Sequence, residues 1–433
     1  MFPNEKKERV VSVVADNARG CLYTLSENNW ISVWKPEPNR SLRKIQTISN
    51  LHKQAQDKAP GAPALAAGLR LLSLHVIDPR ESKSGIQLMA LSTNGIRLYF
   101  SPGPSGYGYG FGGPSYGSSD PKHLQLLHVR LPPLNLLHPD EQMQPQSQRL
   151  QSTHMFGTPA QAQQNPKPCI VNSLSASAYI DGLLVAAQPS DIDGKDFLLG
   201  ISPDLTKVGS FGQAQSHIQP QTQAVAYYGA GTVPRPPLTE QAALLYVEGT
   251  IWAIAPSHRP VPSSFTSSPA ASPEPLVTNE LSTQFSQARQ EFVIVTNAGV
   301  SHLVKRRAVD YLLDALEEVH MEGSVQPLVD FRDSFGRDQT CAMLLALASG
   351  NTFMSTDRSG YSVFDEVISL SAEISAVAKQ MFYDIGDRPI WVDRGFGGEN
   401  QGSVLFSGRR EGLALYFARL VRPIWRAKVT KTR

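Results

Sequence analysis

Acidic side chains cluster in one short run of the sequence, DIDGKD at 191–196. Carboxylates at alternate positions are how calcium loops present their oxygen ligands. In an EF-hand loop, however, glycine follows the third acidic position and a glutamate closes the loop. Here Gly194 follows the second acid, and no glutamate stands at the closing position. The run therefore predicts a hairpin turn rather than a metal site.

Other residues with catalytic or ligand chemistry are dispersed along the chain. The ten histidines form no HxxxH pair, and the cysteines Cys21, Cys169 and Cys341 lie far apart. There is no GxSxG, no P-loop and no GxGxxG that opens a helix. The sequence therefore predicts no catalytic residue, no metal ligand and no cofactor, and it favours an interaction scaffold over an enzyme. A reducing compartment fits the cysteine pattern.

The composition excludes several classes of protein. At 433 residues the chain is long enough for two or more cores. A formal net charge of +2 with 18% charged residues gives no dense basic face, so direct binding to nucleic acid is not expected. The basic cluster at 305–307 is interpreted as a solvated helix start. The start of the chain lacks the apolar segment of a secretory signal, and no stretch approaches the ~20 apolar residues of a membrane span.

The first part of the chain contains a series of predicted β-hairpins. The run IQLMALSTNGIRLYFSP at 86–102 places two apolar arms on either side of Asn94-Gly95. Both turn residues tolerate positive φ, which a type I′ turn requires, so a β-hairpin is predicted. Similar units are predicted at 21–35, 182–202, 244–254 and 291–305.

Recurrent antiparallel units cannot be stable alone and must pack on one another. They predict a partial β-propeller of about four to five blades, although the spacing is too uneven for WD repeats. A β-sandwich is the alternative for this part. Disordered insertions are predicted at about 101–121, 132–167 and 256–275, where Gly, Tyr, Ser, Pro and Gln dominate.

One insertion, 46–72, carries an apolar pattern of its own. Leu65, Leu69 and Leu72 stand at i, i+4 and i+7, which predicts one face of a loop helix. Such a face could lie in a bilayer interface, and these leucines are the candidate membrane-binding residues. The alternative is a solvated insertion with a short packed helix.

After residue 307 the hydrophobic period changes from 2 to 3.6. Helices are predicted over 308–319, 340–348, 372–385 and 413–421, the last with Leu413, Tyr416, Phe417 and Leu420 directed inward. Strands followed by helices imply separate domains rather than a βαβ sheet. The fold class is therefore β then α, with a propeller part at 1–307 and the start of an α-helical solenoid at 308–433.

Five runs of the sequence resemble a single family. They are RGCLYTLSENNWISVWKP at 19–36, the run at 86–102, LLHVRLPP at 126–133, EFVIVTNAGVSHLVKRRAVDYL at 291–312 and EGLALYFARLVRPIW at 411–425. GIRLYFS and LHVRLPP are the most specific. Over nearly its whole length the chain resembles the large non-FG scaffold nucleoporins of the inner ring of the nuclear pore, the one-fifty-five/one-seventy class, in a fungal version.

The resemblance implies a seven-bladed propeller followed by a long α-solenoid. On that reading the chain is a fragment, with the later blades and the first solenoid helices. A structural role at the nuclear pore complex of the nuclear envelope is implied, in nucleocytoplasmic transport. The implied partners are linker nucleoporins, other inner-ring nucleoporins, transmembrane nucleoporins and the pore membrane. A curvature-sensing loop helix of this class corresponds to 46–72, although Pro60, Pro63 and several lysines depart from an ideal lipid-packing sensor.

The sequence leaves two alternatives open. A vesicle-coat scaffold can share the same propeller-and-solenoid plan, and fold alone cannot separate the two. A propeller enzyme would need polar or metal-binding residues that converge on the central channel, and the sequence shows no such set.

Overall fold

The computed structural model describes residues 9–79, 81, 85–102, 123–134, 136–142, 168–207, 240–257, 280–285, 289–350, 370–392 and 403–425. Four antiparallel sheets follow one another along the chain, and in each the strands pair in chain order. Blade 1 contains β1 (Val10–Asp16), β2 (Cys21–Ser26), β3 (Ile31–Pro36) and β4 (Leu42–Ile48). Blade 2 contains β5 (Leu71–Val76), β6 (Leu88–Ser92), β7 (Arg97–Pro102) and β8 (Leu124–Arg130).

A minor two-stranded sheet follows, made of β9 (Leu136–Leu137) and β10 (Pro168–Cys169). Blade 3 contains β11 (Ala176–Ile180), β12 (Leu183–Pro189), β13 (Lys195–Pro203) and β14 (Glu240–Glu248). Blade 4 contains β15 (Ile251–Pro256), β16 (Glu291–Thr296) and β17 (Val300–Val304). Short helices lie between these strands: α1 (Leu51–Lys58), α2 (Pro63–Ala66), α3 (Pro139–Gln142) and α4 (Glu280–Thr283).

The blades stack face to face through their first strands. Strand β1 contacts β5, β5 contacts β11, and β11 contacts β15. Each junction has its own apolar core, with Tyr23 and Phe100 between blades 1 and 2, Met89 between blades 2 and 3, and Phe292 between blades 3 and 4. Every residue of β6 is buried, because both faces of this sheet are covered. A sandwich buries one face of each sheet, so the propeller-like arrangement is confirmed.

The central hairpin at 86–102 forms as predicted, but its turn differs. A type I′ turn needs positive φ at two residues, and here only Gly95 has it, at +79°. The Gly95 amide donates to the Ser92 carbonyl, and the Ser92 amide donates to the Ile96 carbonyl. The loop therefore has three residues, with glycine in the left-handed position. A Cβ at Gly95 would lie 2.7 Å from Cγ1 of Val171, so the next segment also requires glycine here.

The predicted hairpin at 244–254 is wrong. Strand β14 pairs with β13 in blade 3, and β15 pairs with β16 in blade 4, so this segment is the crossover between two blades. Its turn glycine, Gly249, donates its amide to the Gly194 carbonyl of blade 3. A Cβ there would lie 2.3 Å from Oδ1 of Asn297 in blade 4. The glycine thus permits close approach of two sheets rather than a hairpin turn.

Part of one predicted disordered insertion has structure. Strand β9 and helix α3 lie inside 132–167, and Leu136 is buried against blade 3. The physical reason is the apolar pair Leu136–Leu137, which a Pro- and Gln-rich surrounding obscures in the sequence. Residues 103–122, 143–167 and 258–279, which contain the rest of the three insertions, lie outside the described residues.

The helical part begins where the period changes. It contains α5 (Ala308–Glu322), α6 (Gln326–Phe335), α7 (Arg337–Ala348), α8 (Ala372–Ile385) and α9 (Gly408–Trp425), with a small hairpin of β18 (Ile390–Val392) and β19 (Ser403–Leu405). Helix α6 was not predicted. Leu281 of α4 packs into the helical core, so an excursion of blade 4 joins the two parts. None of the helices in the described part of the chain is long and apolar enough to cross a bilayer.

Helix α9 packs by a different face from the one predicted. It lies on α7 through Gly408 and Gly412, and a Cβ at Gly412 would lie 2.4 Å from Cβ of Cys341. Leu413, Phe417 and Leu420, which were predicted to face inward, are exposed. Hydrophobic periodicity predicts that the face with the large apolar residues is buried. This contact instead uses glycines, because they let two helix backbones approach closely.

Candidate functional site

The candidate membrane residues do not share a helical face. Leu65 lies in α2 and is 1% exposed, Leu69 follows that helix and is partly buried, and Leu72 lies in β5. Leu65 and Leu69 belong to the core between blades 1 and 2, and Leu72 packs against the next core. The predicted i, i+4, i+7 face is therefore wrong, because the helix ends at Ala66 and a strand follows. Contact of this segment with a membrane stays a prediction.

Turn asparagines of two hairpins hold this segment on the blade stack. The Asn29 side chain donates to the Leu69 carbonyl and accepts from the Leu71 amide. The Asn94 side chain donates to the Ala64 carbonyl at 2.8 Å. Buried backbone groups need such partners. The segment is consequently fixed between the hairpin turns of blades 1 and 2.

A polar cluster joins the first strands of blades 2 and 3. Ser73 Oγ lies 2.7 Å from Ser177 Oγ, and Nε2 of His75 lies 3.0 and 3.1 Å from these two hydroxyls. Burial lowers the pKa of His75 to about 4, so its imidazole is neutral. A serine–histidine pair needs a third group that orients the base. Among the described residues the imidazole bonds only to these hydroxyls, so the cluster fits a clasp between blades.

A second contact crosses the same junction. The Tyr179 hydroxyl of β11 donates to Oε2 of Glu81 at 2.6 Å, and Oε1 of Glu81 accepts from the Asp78 amide at 3.2 Å. Burial raises the pKa of Glu81 to about 7, with a further rise from the charges of Asp181 and Asp78, although the Tyr179 hydrogen bond opposes it. The protonation of this carboxyl group therefore changes near neutral pH.

A buried ion-pair cluster ties the outer strands of blades 2 and 3. Arg97 of β7 donates from both terminal nitrogens to the two carboxylate oxygens of Glu240 in β14, each at 2.9 Å. Arg130 of β8 lies 2.5 Å from the same carboxylate. The Arg97 side chain is only 4% exposed. Two parallel bonds of this kind fix both distance and orientation.

His138 fastens the segment of β9 and α3 to blade 3. Its Nδ1 lies 3.3 Å from Asp140, its Nε2 lies 3.3 Å from Asp191, and the Tyr246 hydroxyl is 3.2 Å from Nε2. The ring makes edge contacts with Phe197 and Tyr246. Asp191 belongs to the run that resembled a calcium loop, and here it contacts a histidine within a hairpin connection.

The junction between blades and helices is built on Arg307. Its guanidinium donates to both carboxylate oxygens of Asp310, at 3.1 and 2.8 Å, and to the Gln284 carbonyl at 2.8 Å. Burial opposes ionisation of Asp310, but the hydrogen bonds and charge of Arg307 outweigh it and lower the pKa of this carboxyl. The solvated helix start predicted for 305–307 is wrong at Arg307, which is 7% exposed. The acid three residues after it was the signal, since that spacing caps helices.

These clusters are hydrogen bonds and ion pairs that join neighbouring elements of the fold. The described residues contain no group of three or more His, Cys, Asp or Glu side chains that could hold a metal ion. All three cysteines are buried, and burial raises the pKa of Cys21 and raises that of Cys341 to about 12. Thiols in this state are poor nucleophiles. The polar contacts between blades leave no local signal in the sequence, because their members lie 98 to 143 residues apart along the chain.

The blades form a stack joined by polar contacts, and packed helices continue the chain. This arrangement defines a β-propeller scaffold with a helical extension. The chain belongs to the family Nucleoporin_N, described as Nup133 N terminal like, which it matches over residues 1–302. This confirms the family resemblance stated from the sequence. Nucleoporins are constituents of the nuclear pore complex, so the family places the chain there.

Individual relatives agree with this placement. The chain is 26% identical over 445 residues to nucleoporin NUP170 of Chaetomium thermophilum. The alignment covers 99% of this chain and 27% of the relative. It is 24% identical over 449 residues to the probable nucleoporin C890.06 of Schizosaccharomyces pombe, at 97% and 30% coverage. The chain thus spans less than a third of the length of these relatives, which fits the expectation of a partial chain.

A solved structure shares the fold. The crystal structure of the Chaetomium thermophilum Nup170 NTD–Nup53 complex superimposes with a TM-score of 0.63 at 23% identity, over 100% of this chain and 52% of that one. At this identity the likeness bears on the fold alone.

Proposed function

We propose that the chain is a scaffold element of the inner ring of the nuclear pore complex and that it binds short segments of linker nucleoporins. The single observation that carries the proposal is the family match over residues 1–302. The relative with 99% coverage is a nucleoporin NUP170, and the related solved structure is a complex with Nup53. A rigid blade stack suits this role, because a preformed surface limits the entropy lost when a flexible segment binds.

Isothermal titration calorimetry tests this proposal. The chain is titrated with a peptide from the Nup53-type linker of the same organism. We expect saturable binding with one peptide per chain. A shuffled peptide of equal composition serves as the control. If the folded chain gives no binding heat with the linker peptide over several temperatures, the linker-binding proposal is wrong.

The location of the protein in the cell distinguishes the vesicle-coat alternative from the nucleoporin proposal. A fluorescently tagged chain, extended to the length of its relatives, is expected at the nuclear rim. Punctate transport vesicles without rim signal would support the alternative instead. The enzyme alternative draws no support from the Ser73–His75–Ser177 cluster, whose imidazole is partly buried and has a pKa lowered to about 4, so it is neutral.

Membrane contact through 46–72 requires its own test. Leu65 is too buried for a clean variant, because a charge there would disrupt the core. Leu69→Asp is the gentler change, since Leu69 is only partly buried. If this segment contacts lipid, the variant should float less with liposomes under conditions where circular dichroism shows that it remains folded. Equal flotation of variant and parent would remove the segment from consideration.

A further inference from the structure

The ion-pair cluster between the outer strands of blades 2 and 3 carries more positive than negative charge. Arg97 of β7 and Arg130 of β8 stand directly opposite each other in the antiparallel pair. Like charges at such positions repel each other. A single carboxylate lies between them, since Glu240 accepts two hydrogen bonds from Arg97 and pairs with Arg130. Two guanidinium groups on one carboxylate leave a positive charge without a counter-charge in this cluster.

The uncompensated charge lies on the side of Arg130. Both terminal nitrogens of Arg97 bond to Glu240, and its side chain is 4% exposed, whereas that of Arg130 is 21% exposed. Nη1 of Arg130 contacts Glu240, and this guanidinium has no other partner in the described part of the chain. Arg130 therefore keeps N–H donors in the planar arrangement that matches carboxylate and phosphate oxygens.

Two further basic side chains extend the cluster. His128 stands two residues before Arg130 on the same face of β8. Lys58 ends α1, which packs beside β8; it is exposed and has no ion pair with any described residue. Burial and the charge of Arg130 lower the pKa of His128, and Arg97 and Lys58 lower it further, whereas Glu240 opposes them. Three cations and one carboxylate thus act on the same imidazole.

We propose that Arg130, His128 and Lys58 form a binding site for an oxyanion, which is a carboxylate or phosphate group on a segment of a partner protein. The N–H groups of Arg130 that do not face Glu240 donate to the anion, and Lys58 adds a second charge. The anion relieves the repulsion between the paired arginines. The inference deepens the proposed function and rests on it for the source of the anion, an acidic or phosphorylated residue of a linker segment.

A sulfate titration followed by NMR tests the site on the full chain, because sulfate keeps its charge at the pH used. The chain carries labelled histidine, His128→Gln identifies the His128 resonance, and chloride replaces sulfate at constant ionic strength near pH 6. We expect the His128 resonance to move toward its protonated position and to saturate. Arg130→Gln should weaken the apparent affinity for sulfate at least about tenfold, and Lys58→Gln about threefold.

Both variants should keep the parent's circular dichroism. Arg130→Gln leaves Arg97 and Glu240 as a neutral pair, and Lys58 is exposed. The matched control is Arg43→Gln on β4, the outer strand of blade 1, where one arginine has its own carboxylate in Glu37 at 2.8 Å. This variant should bind sulfate like the parent.

The proposal is wrong if the His128 resonance of the parent does not respond to sulfate, or if Arg130→Gln binds sulfate as the parent does. Equal weakening by Arg43→Gln would also overturn it, because the effect would then be general screening. Titration with the capped amino acids aspartate and phosphoserine shows whether a carboxylate or a phosphate is the preferred ligand. Sulfate binding without binding of the linker peptide would refute the proposed function and leave the anion site in place.

Discussion

The carboxyl group of Glu81 couples the junction of blades 2 and 3 to pH. Its pKa of about 7 in the folded chain exceeds the ordinary value of 4.5, chiefly because it is buried. Between these values the folded state holds a proton that the unfolded state has lost. The free energy of unfolding must then fall as pH rises from about 4.5 to 7, by at most about 3 kcal/mol.

Urea unfolding at pH 5, 6, 7 and 8 measures this effect as the difference between the parent and Glu81→Gln. The amide does not titrate, so the variant should lack this part of the pH dependence and should gain stability relative to the parent as pH rises. Tyr179→Phe is the companion variant, since loss of the hydroxyl donor should raise the pKa of Glu81 further. Parallel pH profiles for the parent and Glu81→Gln would contradict the assignment.

Two aspartates in first turns of helices should behave in opposite ways. Asp310 accepts two hydrogen bonds from the buried guanidinium of Arg307. Neither carboxylate oxygen of Asp338 in α7 has a hydrogen-bond partner among the described residues, and burial raises the pKa of Asp338. We expect Asp310→Asn to lower the free energy of unfolding by about 3 kcal/mol, because the Arg307 cation stays buried without its anion.

Asp338→Asn should change stability by less than about 1 kcal/mol, or increase it, because it removes a poorly compensated buried charge. Urea unfolding followed by circular dichroism at neutral pH compares the two variants. An equal cost at both positions would show that Asp338 is paired in solution.

At the scale of elements, Gly412 decides how α9 packs. A side chain here would lie 2.4 Å from Cβ of Cys341 and 2.9 Å from the Ala342 amide nitrogen. Gly412→Leu should therefore separate α9 from α7, with a loss of at least about 2 kcal/mol. Ala418→Leu introduces the same residue on the exposed side of the same helix and should be tolerated. Limited proteolysis of α9 and thermal unfolding distinguish them, and equal protection of both variants would contradict the packing.

The same helix shows what sequence patterns can and cannot predict about elements. Helix α8 was predicted at the bounds that the structure has, 372–385, because a single wide apolar face is buried there. The burial of α9 was predicted on the wrong side, since two glycines rather than its large apolar residues make the contact. The shared helical face predicted for Leu65, Leu69 and Leu72 is wrong for a related reason. Their helical spacing extends across the start of a strand, and Leu72 follows the period of β5 instead.

For the whole molecule, the order of blades followed by helices was predictable because hydrophobic period is a local property of the sequence. What joins one blade to the next was not, because those contacts link residues far apart in the chain. The segment at 244–254 illustrates the limit. A glycine turn between two apolar runs looks the same whether the runs pair with each other, as in 86–102, or belong to neighbouring blades.

Glu240 provides the sharpest test of whether the blades behave as one body. It neutralises Arg97 and Arg130 of blade 2 from the first residue of β14 in blade 3. Glu240→Gln keeps the shape of the side chain but leaves the Arg97 cation buried, so a loss of about 3 kcal/mol is expected. Because the clasp crosses a blade junction, the loss should appear in both blades. Hydrogen exchange by mass spectrometry should show faster exchange in β7 and β14 together, with β2 unaffected. Faster exchange in β14 alone would mean that blade 3 opens independently and that the stack is not a single cooperative unit.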